Sequence, residues 1–233
     1  GTFYMFFSAR TSTTKRGTGI AVATHPLGPF TNLMDAPVTP PDWHCLDGHL
    51  FMDVDGSEYL VFAREWVELD HGEMWVQGIN GNYTQLVGER HLLFKGTDAS
   101  WSNVVVDGPA MIHRDGKYFL FWSSFSDGYC CGHASSDAIT GPYQQSGQPV
   151  IASDGGHVTF FTDHSSGDLL VTFHRPNSGG RERAHVEKIV FRDGTWLVNA
   201  GIAIPPMGLL VPVAMVIAIA CVAWFRRETM ERQ

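Results

Sequence analysis

Two aspartates stand in matching frames. "CLDGHLFMDVDGSEYLVFAR", residues 45–64, and "VVVDGPAMIHRDGKYFLFWSSF", residues 104–125, each carry an Asp-Gly pair, Asp47-Gly48 and Asp107-Gly108. A second glycine follows eight positions on, at Gly56 and Gly116, and an apolar run comes after it. A looser third copy, "GGHVTFFTDHSSGDLLVTFHRPN" at 155–177, puts His157 near the aspartate's place. Carboxylates gathered at one pocket suit cleavage of a glycosidic bond: one protonates the leaving oxygen while another activates water or tunes a pKa. Asp-Gly alone marks a turn as readily as a site, so the weight lies in its recurrence.

The elements that would position these residues are strands. Short runs rich in Phe, Tyr, Val and Leu alternate with Gly, Asp, Asn and Pro turns, and no long helical period appears before the C-terminal run, which predicts an all-β fold. A second element also recurs, "GIAVATHPLGPFTN" at 19–32 and "GHASSDAITGPYQQ" at 132–145. Units of about fifty to sixty residues built only of strands point to a β-propeller with one unit per blade. "YLVFA" and "YFLFWSS" are apolar on both faces, as befits strands sandwiched between neighbouring blades. A β-sandwich would bury such strands too, but needs no periodic Asp-Gly at the strand mouths. In a propeller the inner strands start at one end of the central channel, so Asp47 and Asp107 are expected to face each other across a pocket there.

The chain of 233 residues is 44% apolar and 12% aromatic, enough to bury a sizeable core. A formal net charge of -8 argues against a nucleic-acid partner, whose phosphates call for clustered Lys and Arg. The four cysteines, Cys45, Cys130, Cys131 and Cys221, have no zinc-ligand spacing and read as buried thiols. His44, His49, His113, His164 and His174 are likewise scattered without ligand spacing. The opening "GTFYMFFSAR" reads as the inside of a domain.

Residues 207–225 carry no charge and are long enough for a transmembrane helix, with Trp224 at the interface and Arg226 and Arg227 just beyond. This predicts a propeller over 1–200, a linker at 201–206, a membrane span at 207–225 and a short basic tail at 226–233. The positive-inside tendency places the propeller outside the cytoplasm; a tail anchor would leave it inside.

In their order along the chain, "RTSTTKRGTGIAVATHPLGPFTN", "LDGHLFMDVDGSEYLVFAREWVELDHGEMW", "VVVDGPAMIHRDGKYFLFWSSFSDGY" and "GGHVTFFTDHSSGDLLVTFHRPN" resemble family 43 of the glycoside hydrolases, over residues 1 to about 200. The resemblance implies a five-bladed β-propeller that cleaves arabinose- or xylose-containing polysaccharides with inversion. It implies that Asp47 raises the general acid's pKa and holds it, that Asp107 is the general acid, and that His157 faces a central metal ion, often calcium, through water. The family's acid is usually a glutamate, one methylene longer than Asp107. Glu65 in "REWVEL" is therefore an alternative acid, and reads equally well as a salt-bridged surface carboxylate.

The family's general base is an aspartate on the first blade, and this chain is expected to lack blade one and the first strand of blade two. The expectation is a fragment of little hydrolase activity, or alternatively a catalytically inactive, membrane-tethered propeller that binds carbohydrate. Trp43 and Trp101, just upstream of the two mouths, are candidates to stack on sugar faces.

Overall fold

The computed structural model describes residues 1–11 and 13–199, which form four antiparallel sheets. The first holds β1 (Phe3–Ala9), β2 (Gly17–Ala23) and β3 (Thr31–Asn32). The second holds β4 (Cys45–Met52), β5 (Glu58–Arg64), β6 (Glu73–Ile79) and β7 (Leu86–Lys95). The third holds β8 (Asp107–Arg114), β9 (Lys117–Ser126), β10 (Gly128–Ser136) and β11 (Gln144–Gln145). The fourth holds β12 (Gly156–Thr162), β13 (Leu169–Arg175), β14 (Arg183–Arg192) and β15 (Thr195–Asn199).

Strand order in space follows chain order in every sheet. The leading strands meet side by side, β8 lying against both β4 and β12. This is a propeller, with four blades among the described residues; the expectation was a five-bladed fold without its first blade and the first strand of its second. In the first sheet β1 lies against β4, and no described residue supplies a strand inside it.

Alternation drives the packing. Along β5, Leu60 and Phe62 join a core with Ile20 of the first sheet and Cys45 of β4, while Val61 and Ala63 turn to a core shared with the third sheet. Along β9, Leu120 and Trp122 enter that shared core, and Phe119 and Phe121 enter the next one with Val171 and Phe173 of β13. Strands buried on both faces are what their unbroken apolar runs predicted. The second recurring element also holds: Gly28-Pro29 and Gly141-Pro142 precede the short outer strands β3 and β11. Cys45, Cys130 and Cys131 are buried free thiols. The expected membrane span at 207–225 lies outside the described residues, among which no helix is long and apolar enough to cross a membrane.

The strands β4, β8 and β12 each carry a β-bulge at the same place. Pairing of β4 with β5 skips from Leu46↔Ala63 to His49↔Val61; β8 with β9 from Asp107↔Ser123 to Ala110↔Phe121; β12 with β13 from Gly156↔His174 to Thr159↔Thr172. The first skipped residue has a left-handed backbone in all three: Asp47 (φ 57), Gly108 (φ 54) and His157 (φ 56). Asp47 is therefore the counterpart of Gly108 and His157, and Asp107 the counterpart of Leu46 and Gly156. The equal Asp-Gly spacing in the sequence conceals a slip of one residue, absorbed by β4–β5 and β8–β9 hairpins of different length.

Candidate active site

The bulges present their amides to the preceding sheet. The Asp47 N–H donates to Ser8 Oγ on β1 at 2.8 Å, and the His157 N–H donates to Ser123 Oγ on β9 at 2.8 Å. The third amide, of Gly108, donates to a carboxylate instead, Asp47 Oδ2 at 3.1 Å. The same Ser8 hydroxyl donates to Asp47 Oδ1 at 3.3 Å, so both carboxylate oxygens are held. Asp47, Asp107 and His157 are thereby drawn into one cluster, each offering an atom within 4.8 Å of the others. His157 Nδ1 is 3.8 Å from Asp47 Oδ2. The two aspartates do not face each other across a pocket as equivalent positions; they stand side by side as unlike ones.

Gly108 can be nothing larger. Its φ of 54° strains an L-residue, and a Cβ there would sit 2.9 Å from the Cα of His157. Asp47 and His157 hold the same conformation with side chains attached, a strain of order 1 kcal/mol each that tends to gather at functional sites.

Asp107 is 7% exposed and accepts a hydrogen bond from the Tyr129 hydroxyl. Tyr129 is itself buried, its ring 5.1 Å from Phe125 and 5.2 Å from His174. Burial, and then the charge of Asp107, push its phenol well above the ordinary value, so it remains a donor across the physiological range. Neither Tyr129 nor Ser8 was among the sequence candidates. Their roles depend on which strand neighbours which, and nothing in "SDGYCC" or "FFSAR" announces them.

Glu65 follows β5 at the same end of the propeller, with its amide bonded to the His44 carbonyl at 2.8 Å. It is salt-bridged, to Arg16, but it is not on the surface: it is 7% exposed. Burial lifts its carboxyl above the usual range against the pull of Arg16, and the charge of Asp47 adds to the lift.

The two tryptophans are not placed to stack on a sugar. Trp101 is 4% exposed, packed on Trp122 at 4.5 Å between centroids, with its indole N–H bonded to the Ser146 carbonyl at 3.0 Å. Trp43 is half-buried, with the guanidinium groups of Arg64 and Arg90 at 4.0 and 4.5 Å from its ring centroid and Trp75 at 5.1 Å. A loop position upstream of a mouth says nothing about what covers the ring.

The cluster of two carboxylates and an imidazole is short of the six to eight oxygens that calcium takes. The carboxylates are already engaged by Ser8, the Gly108 amide and Tyr129. The set does not fit a calcium ion bound directly by all three side chains. As an acid/base pair the aspartates are also too close, since an inverting pair stands roughly 6.5–9.5 Å apart to admit a water. A carboxylate this near another instead disfavours its neighbour's ionisation.

The chain matches the model of the glycosyl hydrolases family 43 over residues 1–196. Xylosidase/arabinosidase 43B of Humicola insolens is 28% identical over 191 residues, 72% of this chain and 34% of that protein. The chain thus spans about a third of the length of this relative. Among solved structures, an endo-arabinase from Bacteroides thetaiotaomicron superposes with a TM-score of 0.79 at 36% identity, over 83% of this chain and 73% of that one. A thermostable family-43 glycoside hydrolase gives 0.77 at 25%, over 89% and 74%. An endo-1,4-beta-xylanase from Bacteroides thetaiotaomicron gives 0.72 at 25%, over 85% and 70%.

Proposed function

The chain belongs to the glycosyl hydrolases family 43, and on that premise we propose that its propeller acts on arabinose- or xylose-containing polysaccharides, with the cluster at β4, β8 and β12 as the reacting centre. One observation carries the reading: the carboxyl group of Asp47 is bonded to the amide next to Asp107, which holds a second carboxyl group beside a buried acid. Asp107 protonates the departing glycosidic oxygen. Asp47 favours the protonated form of that acid before the bond breaks. Tyr129 keeps the short aspartate side chain in one orientation.

Inversion also needs a base on the far side of the anomeric carbon, and this pair does not provide it. On this reading the pair alone supports only slow hydrolysis, and the runner-up is a propeller that binds the same glycans without turning them over. His157 would hold a calcium ion through water; no step here depends on it. The apolar run at 207–225 tethers the propeller outside the cytoplasm, so protease added to intact cells should cleave it.

The test is release of the aryl alcohol from arabinofuranosides and xylosides, together with binding of arabino- and xylo-oligosaccharides. Turnover should be weak, accelerated by azide or formate standing in for the base, and abolished by Asp107→Asn. Turnover that survives Asp107→Asn moves the acid to Glu65. Absence of both binding and turnover, with azide present and the fold intact, overturns the proposal.

A further inference from the structure

Three residues occupy one place in successive sheets. Ser123 pairs with Asp107, the residue just before the β8 bulge, and on its other side with Cys131 of β10. Ala63 pairs in the same way with Leu46, just before the β4 bulge, and with Met74 of β6. Ser8 pairs with Thr18 of β2 as Ser123 pairs with Cys131. From this place the hydroxyl of Ser8 takes the bulge amide of the second sheet and that of Ser123 takes the bulge amide of the fourth, each at 2.8 Å. Ala63 has no hydroxyl to offer the bulge amide of the third sheet, which is Gly108.

We propose that Ala63 is a positioning residue: the hydroxyl missing here is what recruits the Asp47 carboxylate to Gly108 and so sets it beside Asp107. Ala63 is fully buried among Leu46, Met74 and Val106, so solvent does not reach the Gly108 amide from that side. A buried N–H left unpaired costs about 1–3 kcal/mol. The nearby carboxylate meets that need with a charge-assisted bond, at 3.1 Å. A serine at this place would take the amide as its two counterparts do, and the Asp47 Oδ2 would lose the tether that points it at Asp107. The consequence for catalysis rests on the roles given above to Asp47 and Asp107; the geometry does not.

The experiment is amide NMR of the full chain, which needs no turnover. In the unaltered protein the Gly108 amide should exchange slowly, and in Ala63→Ser it should stay slow. Asp47→Gly, which suits the φ of 57°, should speed Gly108 amide exchange by about tenfold or more. Adding Ala63→Ser to Asp47→Gly should restore slow exchange. An Asp47→Gly protein whose Gly108 amide exchanges as slowly as in the unaltered chain, or a double variant that exchanges as fast as Asp47→Gly, overturns the proposal. If Ala63→Ser does not fold, Ser123→Ala decides: His157 amide exchange must rise by about tenfold, because the proposal requires that hydroxyl to be the acceptor. Loss of hydrolysis in Asp107→Asn bears on the catalytic reading alone, so the two can fail separately.

Discussion

The mouths of β4 and β8 carry the same dipeptide and do different things with it. At the β4 mouth the aspartate occupies the left-handed bulge position, Asp47, and reaches sideways into the next sheet. At the β8 mouth the glycine occupies that position, and Asp107 sits one place earlier, buried against Tyr129. A repeated motif is therefore no guarantee of repeated geometry. Here the slip of one residue is the useful feature, because the carboxylate of one mouth meets the amide of the other.

The largest expected effects separate the two carboxylates. Asp107→Asn should lower turnover of aryl glycosides by between about 10² and 10⁴-fold, the range for loss of a general acid. Asp47→Asn, which tolerates the left-handed backbone, should cost less, about 10²-fold, because it removes a charge acting through its neighbour. Equal losses would erase the distinction between the mouths.

Next come the two glycines, compared by denaturant unfolding. Gly108→Ala combines a positive φ with a backbone collision and should destabilise by about 2–4 kcal/mol. Gly48→Ala meets only the side chain of Thr18, at 2.6 Å, without the φ penalty, and should cost about 1–2 kcal/mol. The reverse order would mean that the bulges had been matched wrongly.

Smaller again is the support each aspartate receives. Tyr129→Phe, which removes a buried hydrogen bond and leaves its Asp107 acceptor short of a partner, should destabilise by about 1–3 kcal/mol, and Ser8→Ala, half-exposed, by about 1 kcal/mol. Thermal unfolding of both variants checks this.

The smallest contrast concerns pH at the β4 mouth. Glu65 has a carboxyl raised by burial, so the folded chain holds that proton where the unfolded chain has released it. Its contribution is fully present below the ordinary glutamate value of 4.5 and is lost as pH rises through the raised folded value. A wild-type minus Glu65→Gln curve of unfolding free energy should slope downward across that window; a flat or rising curve contradicts the assignment.

The propeller was legible because its cause is local. The unbroken apolar runs in "EYLVFA" and "KYFLFWSS" put apolar residues on both faces, and sheets stacked on either side bury both. Asp47, Asp107 and His157 were legible as a set for the same reason, each standing near a turn that opens a strand. Their register was not: the bulges and the unequal hairpins cancel in sequence spacing. Trp43 and Trp101 misled because what covers a ring is a matter of distant residues, Arg64 and Arg90 in one case and Trp122 and Ser146 in the other.

The strands, their two-sided burial and the acids at their mouths follow from residues read along the chain, since side-chain size and period act between near neighbours. Which acid meets which amide follows from how the sheets come together. That choice turns on a bulge, a missing hydroxyl at Ala63 and a phenol at Tyr129, residues that come together across sheets and carry no mark of it along the chain.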